Sequence, residues 1–167
     1  MTTNREVFIG IDNGVTGSIG IITPEQILYI PTPTITVQDY TKRKKTINRI
    51  NFNITKFILA RACDRKTMVL LERPMINPDR FNQSIIAARA YEATLIIVEE
   101  LGISHDWIDS RKWQKLFFPE EIIGTGTKML KLYSNSVGKR LFPDVDIGNL
   151  DDYDGLLIAE YCRRLYG

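Results

Sequence analysis

The chain has 167 residues, 44% of them hydrophobic, with 22 Lys+Arg against 20 Asp+Glu, a net charge of +2, and only 2 Cys. A chain of this length buries roughly 68–70% of the surface its unfolded form exposes, so one domain over residues 1–167 can hold a core without disulfides or a structural metal. Cys63, Cys162 and the single histidine, His105, form no zinc spacing, and no run of about 18 apolar residues occurs, so a zinc-cluster protein, a secreted scaffold and a membrane-spanning protein are excluded and a reducing, cytoplasmic setting is expected.

In chain order, residues 7–12 (VFIGID) form a short apolar run that ends on an acid and enters a turn marked by Gly14 and Gly17, which predicts a strand. Residues 18–22 and 26–30 continue it, with Pro24 between them, as a three-stranded antiparallel meander. Residues 31–45 read as loop. Ile47, Ile50, Ile54, Phe57, Ile58 and Arg61 recur at helical spacing and predict an amphipathic helix. Residues 68–72 (MVLLE) form a second buried strand ending on an acid, followed by a loop with Pro74 and Pro78. Residues 81–101 predict a long helix closed by Gly102. A short strand over 104–108 and helices over 110–118, 128–141 and 150–165 complete the chain, the last with acids gathered at its start. The order βββ-α-β-α-β-α-α-α predicts an α/β fold with a mixed sheet.

The near-neutral net charge hides an asymmetry. Residues 40–66 carry a net +8, including Lys42, Arg43, Lys44, Lys45 and Arg49, and the remainder carries −6. A basic arm on an acidic body points to a polyanion such as nucleic acid; a solvated loop and helix face is the plain alternative.

Asp12 and Glu72 each terminate a predicted strand, and the ends of adjacent strands converge on one rim of a sheet. Asp151, Asp152 and Asp154 open the last predicted helix, where Asp151 and Asp154, three apart, share a face and Asp152 points elsewhere. Any one of these acids alone is an ordinary turn former or helix cap. Together they are costly: two carboxylates about 4 Å apart repel by about 4 kcal/mol at an effective dielectric near 20, which divalent cations would relieve. Oxygen ligands without His or Cys suit Mg²⁺ or Mn²⁺, and two such ions suit in-line phosphodiester cleavage. No phosphate loop of the P-loop type, Ser-His-Asp set or Cys-His pair competes with this reading.

Three segments, Ile9-Gly10-Ile11-Asp12-Asn13-Gly14, Leu70-Leu71-Glu72-Arg73-Pro74 and Asp151-Asp152-Tyr153-Asp154-Gly155-Leu156-Leu157-Ile158-Ala159, resemble the successive active-site motifs of the RuvC-type Holliday junction resolvases of the RNase H-like superfamily. Residues 110–115 (SRKWQK), Thr127-Lys128 and residues 138–143 (GKRLFP) resemble its phage and viral branch, whose setting would be the host cytoplasm. The resemblance implies an RNase H-like fold with a five-stranded mixed sheet flanked by helices. It implies a homodimer that resolves four-way DNA junctions by paired nicks, with two Mg²⁺ ions per site and Mn²⁺ as a substitute. It implies Asp12, Glu72, Asp151 and Asp154 as metal ligands and Lys128 as the basic group at the scissile phosphate, backed by Lys131 and Lys139. Arg73, Arg80, Phe81 and Lys115, with the basic arm, are its expected DNA contacts. Met75 and Ile76 stand where bacterial members carry stacking aromatics, which leaves Phe81 as the substitute, and Asn13 stands where proline is frequent.

Other readings compete. Residues 10–17 alone are similar to the phosphate loop of sugar kinases and actin-like ATPases, but those need a second domain for which the chain has no room. A nuclease of the same superfamily acting on RNA/DNA hybrids or structured RNA shares the metal chemistry, and a non-catalytic nucleic-acid binder would have no need of the four acids. The helix over 81–101, apolar around much of its circumference, is the expected dimer surface.

Overall fold

The computed structural model describes residues 5–39, 44–64 and 66–167. The strands are β1 (Val7–Asp12), β2 (Ser18–Ile22), β3 (Ile27–Pro31), β4 (Thr34–Gln38), β5 (Thr46–Ile50), β6 (Thr67–Glu72) and β7 (His105–Ile108). The helices are α1 (Phe52–Ala62), α2 (Phe81–Glu100), α3 (Ser110–Phe117), α4 (Thr127–Leu141) and α5 (Asp154–Tyr166).

A five-stranded sheet runs in the order β3-β2-β1-β6-β7. The pairings of β3 with β2 and of β2 with β1 are antiparallel, and those of β1 with β6 and of β6 with β7 are parallel. This is the expected mixed sheet with its N-terminal meander. The central strands read as unbroken apolar runs because both of their faces are covered. Side chains alternate between the faces. Phe8, Met68 and Leu70 pack with Trp113, Val137, Leu156 and Ile158 beneath α3, α4 and α5. Val7, Ile9, Ile11, Val69 and Leu71 pack with Leu59, Ala90 and Ile97 beneath α1 and α2. No helix among the described residues is long and apolar enough to cross a membrane.

One close approach positions the site. Gly10 and Gly20 are directly paired across β1 and β2. A Cβ on Gly10 would lie 2.1 Å from the Ala159 backbone nitrogen, and one on Gly20 would lie 2.6 Å from the Gly155 carbonyl oxygen. The two glycines form a slot in which α5 rests backbone against backbone, an arrangement that any larger residue would break.

Three expectations are corrected. Residues 31–45 are not all loop, since β4 pairs antiparallel with β5 from Thr34↔Ile50 to Gln38↔Thr46 as a separate two-stranded ribbon. The spacing of Ile47 and Ile50 fits a helix, but the β-branched Thr46, Ile47 and Ile50 favour the extended chain. The helix starts only at Phe52, where the Asn51 side chain caps it by accepting from the Ile54 amide at 3.2 Å. The last helix starts at Asp154, not at residue 150, because Asp152 turns its Oδ1 onto the Asp154 amide at 3.2 Å and ends the extended approach there.

Candidate active site

The rim of the sheet gathers acids from three directions. Asp12 is the last residue of β1, Glu72 the last of the adjacent parallel β6, and Asp154 the first of α5, which the glycine slot holds against β1 and β2. Carboxylate oxygens of Asp12, Asp152 and Asp154 lie within 4.8 Å of one another. Glu72, at the end of the strand paired with β1, lies close enough to the group for the charges of Asp12 and Asp154 to raise its carboxyl.

The electrostatics are those of a site short of positive charge. Burial, then the Asp152 charge, pushes Asp12 up to about 6, against lowering contributions from Glu72 and Lys131. Burial, then Asp152 and Asp12, pushes Asp154 up to about 8. Glu72 is raised well above the usual carboxylate range by burial and by the charges of Asp12 and Asp154. The buried Trp113 indole N–H makes no conventional hydrogen bond, yet it lies close enough to Glu72 to favour the carboxylate, as a long or bent approach would.

Helix α4 supplies the supports. Ser134, fully buried, donates from Oγ to Asp154 Oδ1 at 2.5 Å and accepts from the Tyr153 amide at 3.0 Å. Lys131, three residues earlier on the same face, bonds Asp151 Oδ2 at 2.9 Å and approaches Asp152 Oδ2 at 3.5 Å. Asn135 donates to the Asp151 carbonyl at 2.7 Å. On the opposite side Tyr29 donates from its hydroxyl to the Asp152 carbonyl at 2.9 Å. Asn13 donates to the Glu72 carbonyl at 2.8 Å and ties the ends of β1 and β6 together.

The structure thus brings together three of the four sequence-predicted acids, Asp12, Glu72 and Asp154. The fourth, Asp151, lies at the rim with its side chain 77% exposed and its carboxyl held below the usual range by the Lys131 hydrogen bond. Asp152 takes the inward place. The shared-face argument for Asp151 and Asp154 does not hold, because residues 151 and 152 precede the helix. Ser134 and Asn135, three and four residues after Lys131 on α4, carry no sequence signal of their role, which comes only from their partners at residues 151–154.

The remaining predicted residues lie around the rim and beyond it. Lys128 is exposed one turn before Lys131, and Lys139 is exposed in the last turn of α4, roughly 12 Å along the axis from Lys131 at 1.5 Å per residue. Arg73, next to Glu72, is paired with Asp109 at 2.7 Å and stacked on Trp107 at 4.1 Å from the ring centroid. Lys44, Lys45, Arg49, Arg80 and Lys115 are exposed, and Phe81 is 67% exposed at the start of α2. Lys42 and Arg43 lie outside the described residues.

The donor set fits a hard divalent cation. Oxygens around one octahedral ion with bonds of about 2.1 Å lie up to about 4.2 Å apart, so small side-chain rotations would close the present spacing. A cation there would offset the burial and mutual repulsion that raise these carboxyls.

No family model and no curated protein matches the chain. Two solved structures of Thermus thermophilus RuvC are similar to it in fold. One, in complex with a Holliday junction substrate, superposes with a TM-score of 0.58 at 12% identity over 96% of each chain. The other superposes with a TM-score of 0.55 at 13% identity, over 96% of this chain and 97% of that one. The sheet order and flanking helices are those of this RNase H-like fold.

Proposed function

We propose that the chain is a metal-dependent endodeoxyribonuclease that resolves four-way DNA junctions by paired phosphodiester nicks. The observation that carries this reading is the convergence of Asp12, Glu72, Asp152 and Asp154 at one rim of a sheet that superposes on RuvC. Asp12, Glu72 and Asp154 hold Mg²⁺ or Mn²⁺, with Asp152 as the fourth ligand in the present geometry and Asp151 as the alternative that the resemblance implies. Two bound ions would prepare an attacking water and stabilise the leaving oxygen. The chain's own groups then orient: Ser134 fixes Asp154, Asn13 fixes the Glu72 backbone, and Lys128 and Lys131, one turn apart, meet the phosphate of the cut strand.

Paired cuts call for two sites related by a two-fold axis, so the active species is a homodimer. The exposed apolar Ile85 and Ile96, at 40% and 48%, support the α2 surface as its interface. Lys44, Lys45 and Arg49, on and beside the β4–β5 ribbon, neutralise further phosphates, so junction affinity falls steeply with salt.

The test is nicking of a labelled four-way junction by the purified chain in Mg²⁺, Mn²⁺ or EDTA, beside linear duplex and RNA/DNA hybrid. Divalent-dependent symmetric nicks in the junction alone are expected. Preferential cutting of the hybrid would replace the reading with a ribonuclease, and no cutting of any substrate would overturn it.

A further inference from the structure

A chain of hydrogen bonds runs from the edge strand β3 to the backbone of the acidic rim. Tyr29 of β3 is paired with Gly20 of β2, and its half-buried ring stacks on Tyr153 with centroids 6.0 Å apart and planes 11° apart. Its hydroxyl lies 2.9 Å from Ser18 Oγ and 2.9 Å from the Asp152 carbonyl oxygen. Ser18, buried and opposite Asp12 in the β1–β2 register, also stands 3.2 Å from the Gly155 amide nitrogen. An amide N–H only donates, a carbonyl only accepts, and each hydroxyl has a single proton to give. The chain therefore runs one way: the Gly155 amide donates to Ser18, Ser18 to Tyr29, and Tyr29 to the Asp152 carbonyl.

The consequence is a fixed direction for one side chain. A peptide unit is a rigid plane, so holding the two units that flank a Cα fixes its φ and ψ, and with them the direction of its Cβ. The unit before the Asp152 Cα is held by Asn135, which donates to the Asp151 carbonyl at 2.7 Å. The unit after it is held at both edges, by Tyr29 on the carbonyl and by Ser134, whose Oγ accepts from the Tyr153 amide at 3.0 Å. Of these three residues, two belong to α4 and Tyr29 alone comes from the sheet. The Asp152 carboxylate closes the loop by accepting the Asp154 amide at 3.2 Å, and Asp151, one residue earlier, is left exposed beside Lys131.

We infer that Tyr29 is a positioning residue whose hydroxyl selects Asp152, rather than Asp151, as the acid turned into the rim. It acts through the backbone of that acid and not on a bound ion. The inference rests on the nuclease reading only for the use of Asp152 as a metal ligand; the placement itself is a property of the free chain. Without the phenol oxygen, the Ser18 hydroxyl and the Asp152 carbonyl each lose a partner, and the unit after the Asp152 Cα keeps only its Ser134 tether.

Tyr29→Phe removes the hydroxyl and keeps the ring on Tyr153, and Ser18→Ala cuts the same chain one link earlier. A cooperative thermal transition verifies the fold of each, and either variant alone suffices for the test. Amide hydrogen exchange, read by NMR in EDTA, reports the placement with no ion or DNA present. The Asp154 and Gly155 amides should exchange about 5-fold faster, as the loss of roughly one net hydrogen bond implies. The Leu157 amide, bonded to the Tyr153 carbonyl at 2.9 Å, should keep its wild-type rate. Calorimetric titration with Mn²⁺ alone then reads which acid is the ligand. In the wild type, Asp152→Asn should weaken Mn²⁺ about 10-fold more than Asp151→Asn does, and with Tyr29→Phe or Ser18→Ala present that gap should shrink to about 3-fold or less. Wild-type exchange at both amides in the folded variants would overturn the inference. So would a Leu157 amide that speeds up in step, which would make the hydroxyl a general prop of α5, or a gap between the two Asn variants that stays as wide. A wild type that binds no Mn²⁺ would sink the nuclease reading, and the exchange rates would still decide the placement.

Discussion

Helix α5 carries two carboxylates, Glu160 buried and Asp154 half-buried, that the fold treats in opposite ways. Glu160, 4% exposed, accepts from Arg163 at 2.8 Å and from Arg164 at 2.7 Å. Burial alone would raise it, and the two guanidinium hydrogen bonds more than offset that, so its carboxyl is held below the usual value. Asp154, six residues earlier, meets Ser134 and a group of other acids, and it is pushed up to about 8. Glu160 is neutralised by its own neighbours, whereas Asp154 is left short of positive charge, as a carboxylate set to bind a cation would be. The difference lies within two turns of one helix.

The sharpest way to break the contrast is at the rim. Asp12→Asn or Glu72→Gln should lower divalent-dependent junction nicking by on the order of 10³-fold, because several kcal/mol of transition-state stabilisation depend on the metal charge these ligands hold. Gel assays at saturating Mg²⁺ with junction binding measured in parallel would check it, and near wild-type cleavage in either variant would remove the basis of the assignment. Asp152→Asn and Asp151→Asn divide the next question. The geometry expects the Asp152 change to cost about 10–100-fold in metal affinity and the Asp151 change far less. The reverse order would mean that metal binding draws Asp151 inward off Lys131.

Ser134 tests the support beneath the contrast. Ser134→Ala should raise the Mg²⁺ concentration for half-maximal nicking by about 10-fold with a smaller effect at saturating metal, and Ser134→Thr should restore it. Calorimetric titration of the metal alone gives the same answer without the reaction.

The smallest effects concern stability, and here the two acids should differ in sign. Asp12 and Asp154 have folded-state values of about 6 and about 8, above the ordinary 3.8, so the folded chain binds more protons than the unfolded one between those values. Their contribution is complete below pH 3.8 and is lost as pH rises through 6 and 8. In EDTA the thermal midpoint should therefore fall from pH 5 to pH 8, and Mg²⁺ should reverse the fall. Asp154→Asn should raise the metal-free midpoint at pH 8. Glu160, lowered instead, contributes above its ordinary 4.5 and loses that contribution as pH falls. Glu160→Gln should destabilise by about 1–2 kcal/mol at pH 8, kept modest because Arg163 and Arg164 remain half exposed. Urea denaturation of both variants at the two pH values would decide it.

What the sequence revealed follows the same division between backbone and surroundings. Asp12 and Glu72 were legible because each closes a continuous apolar run, and a strand buried on both faces has few other appearances. The β4–β5 ribbon was hidden because Ile47 and Ile50 fit helical spacing as well as an extended chain, and only Asn51 signals where the helix starts. Which of Asp151 and Asp152 turns inward could not be read from spacing, since it depends on where the helix begins, and the Asx turn from Asp152 to Asp154 moves that start by four residues. Ser134 was invisible for a different reason: a serine inside a helix has no periodic signature, and its value comes from a partner twenty residues away.

The glycine slot under α5 bears on which ion the rim can prefer. Asp12 follows Gly10 by two residues, Asp154 directly precedes Gly155, and between the two segments there is main chain against main chain with no side chain to rotate. Mg²⁺ and Ca²⁺ differ by a few tenths of an ångström in bond length, about 2.1 Å against about 2.3–2.6 Å. An interface of interlocking side chains can absorb such a difference by changing rotamers, but main chain packed on main chain yields far less. The radius of an ion bound at this rim would therefore be measured against a nearly inextensible ruler, and the adjustment left to the protein would be confined to the acid side chains and to the α4 residues that hold them.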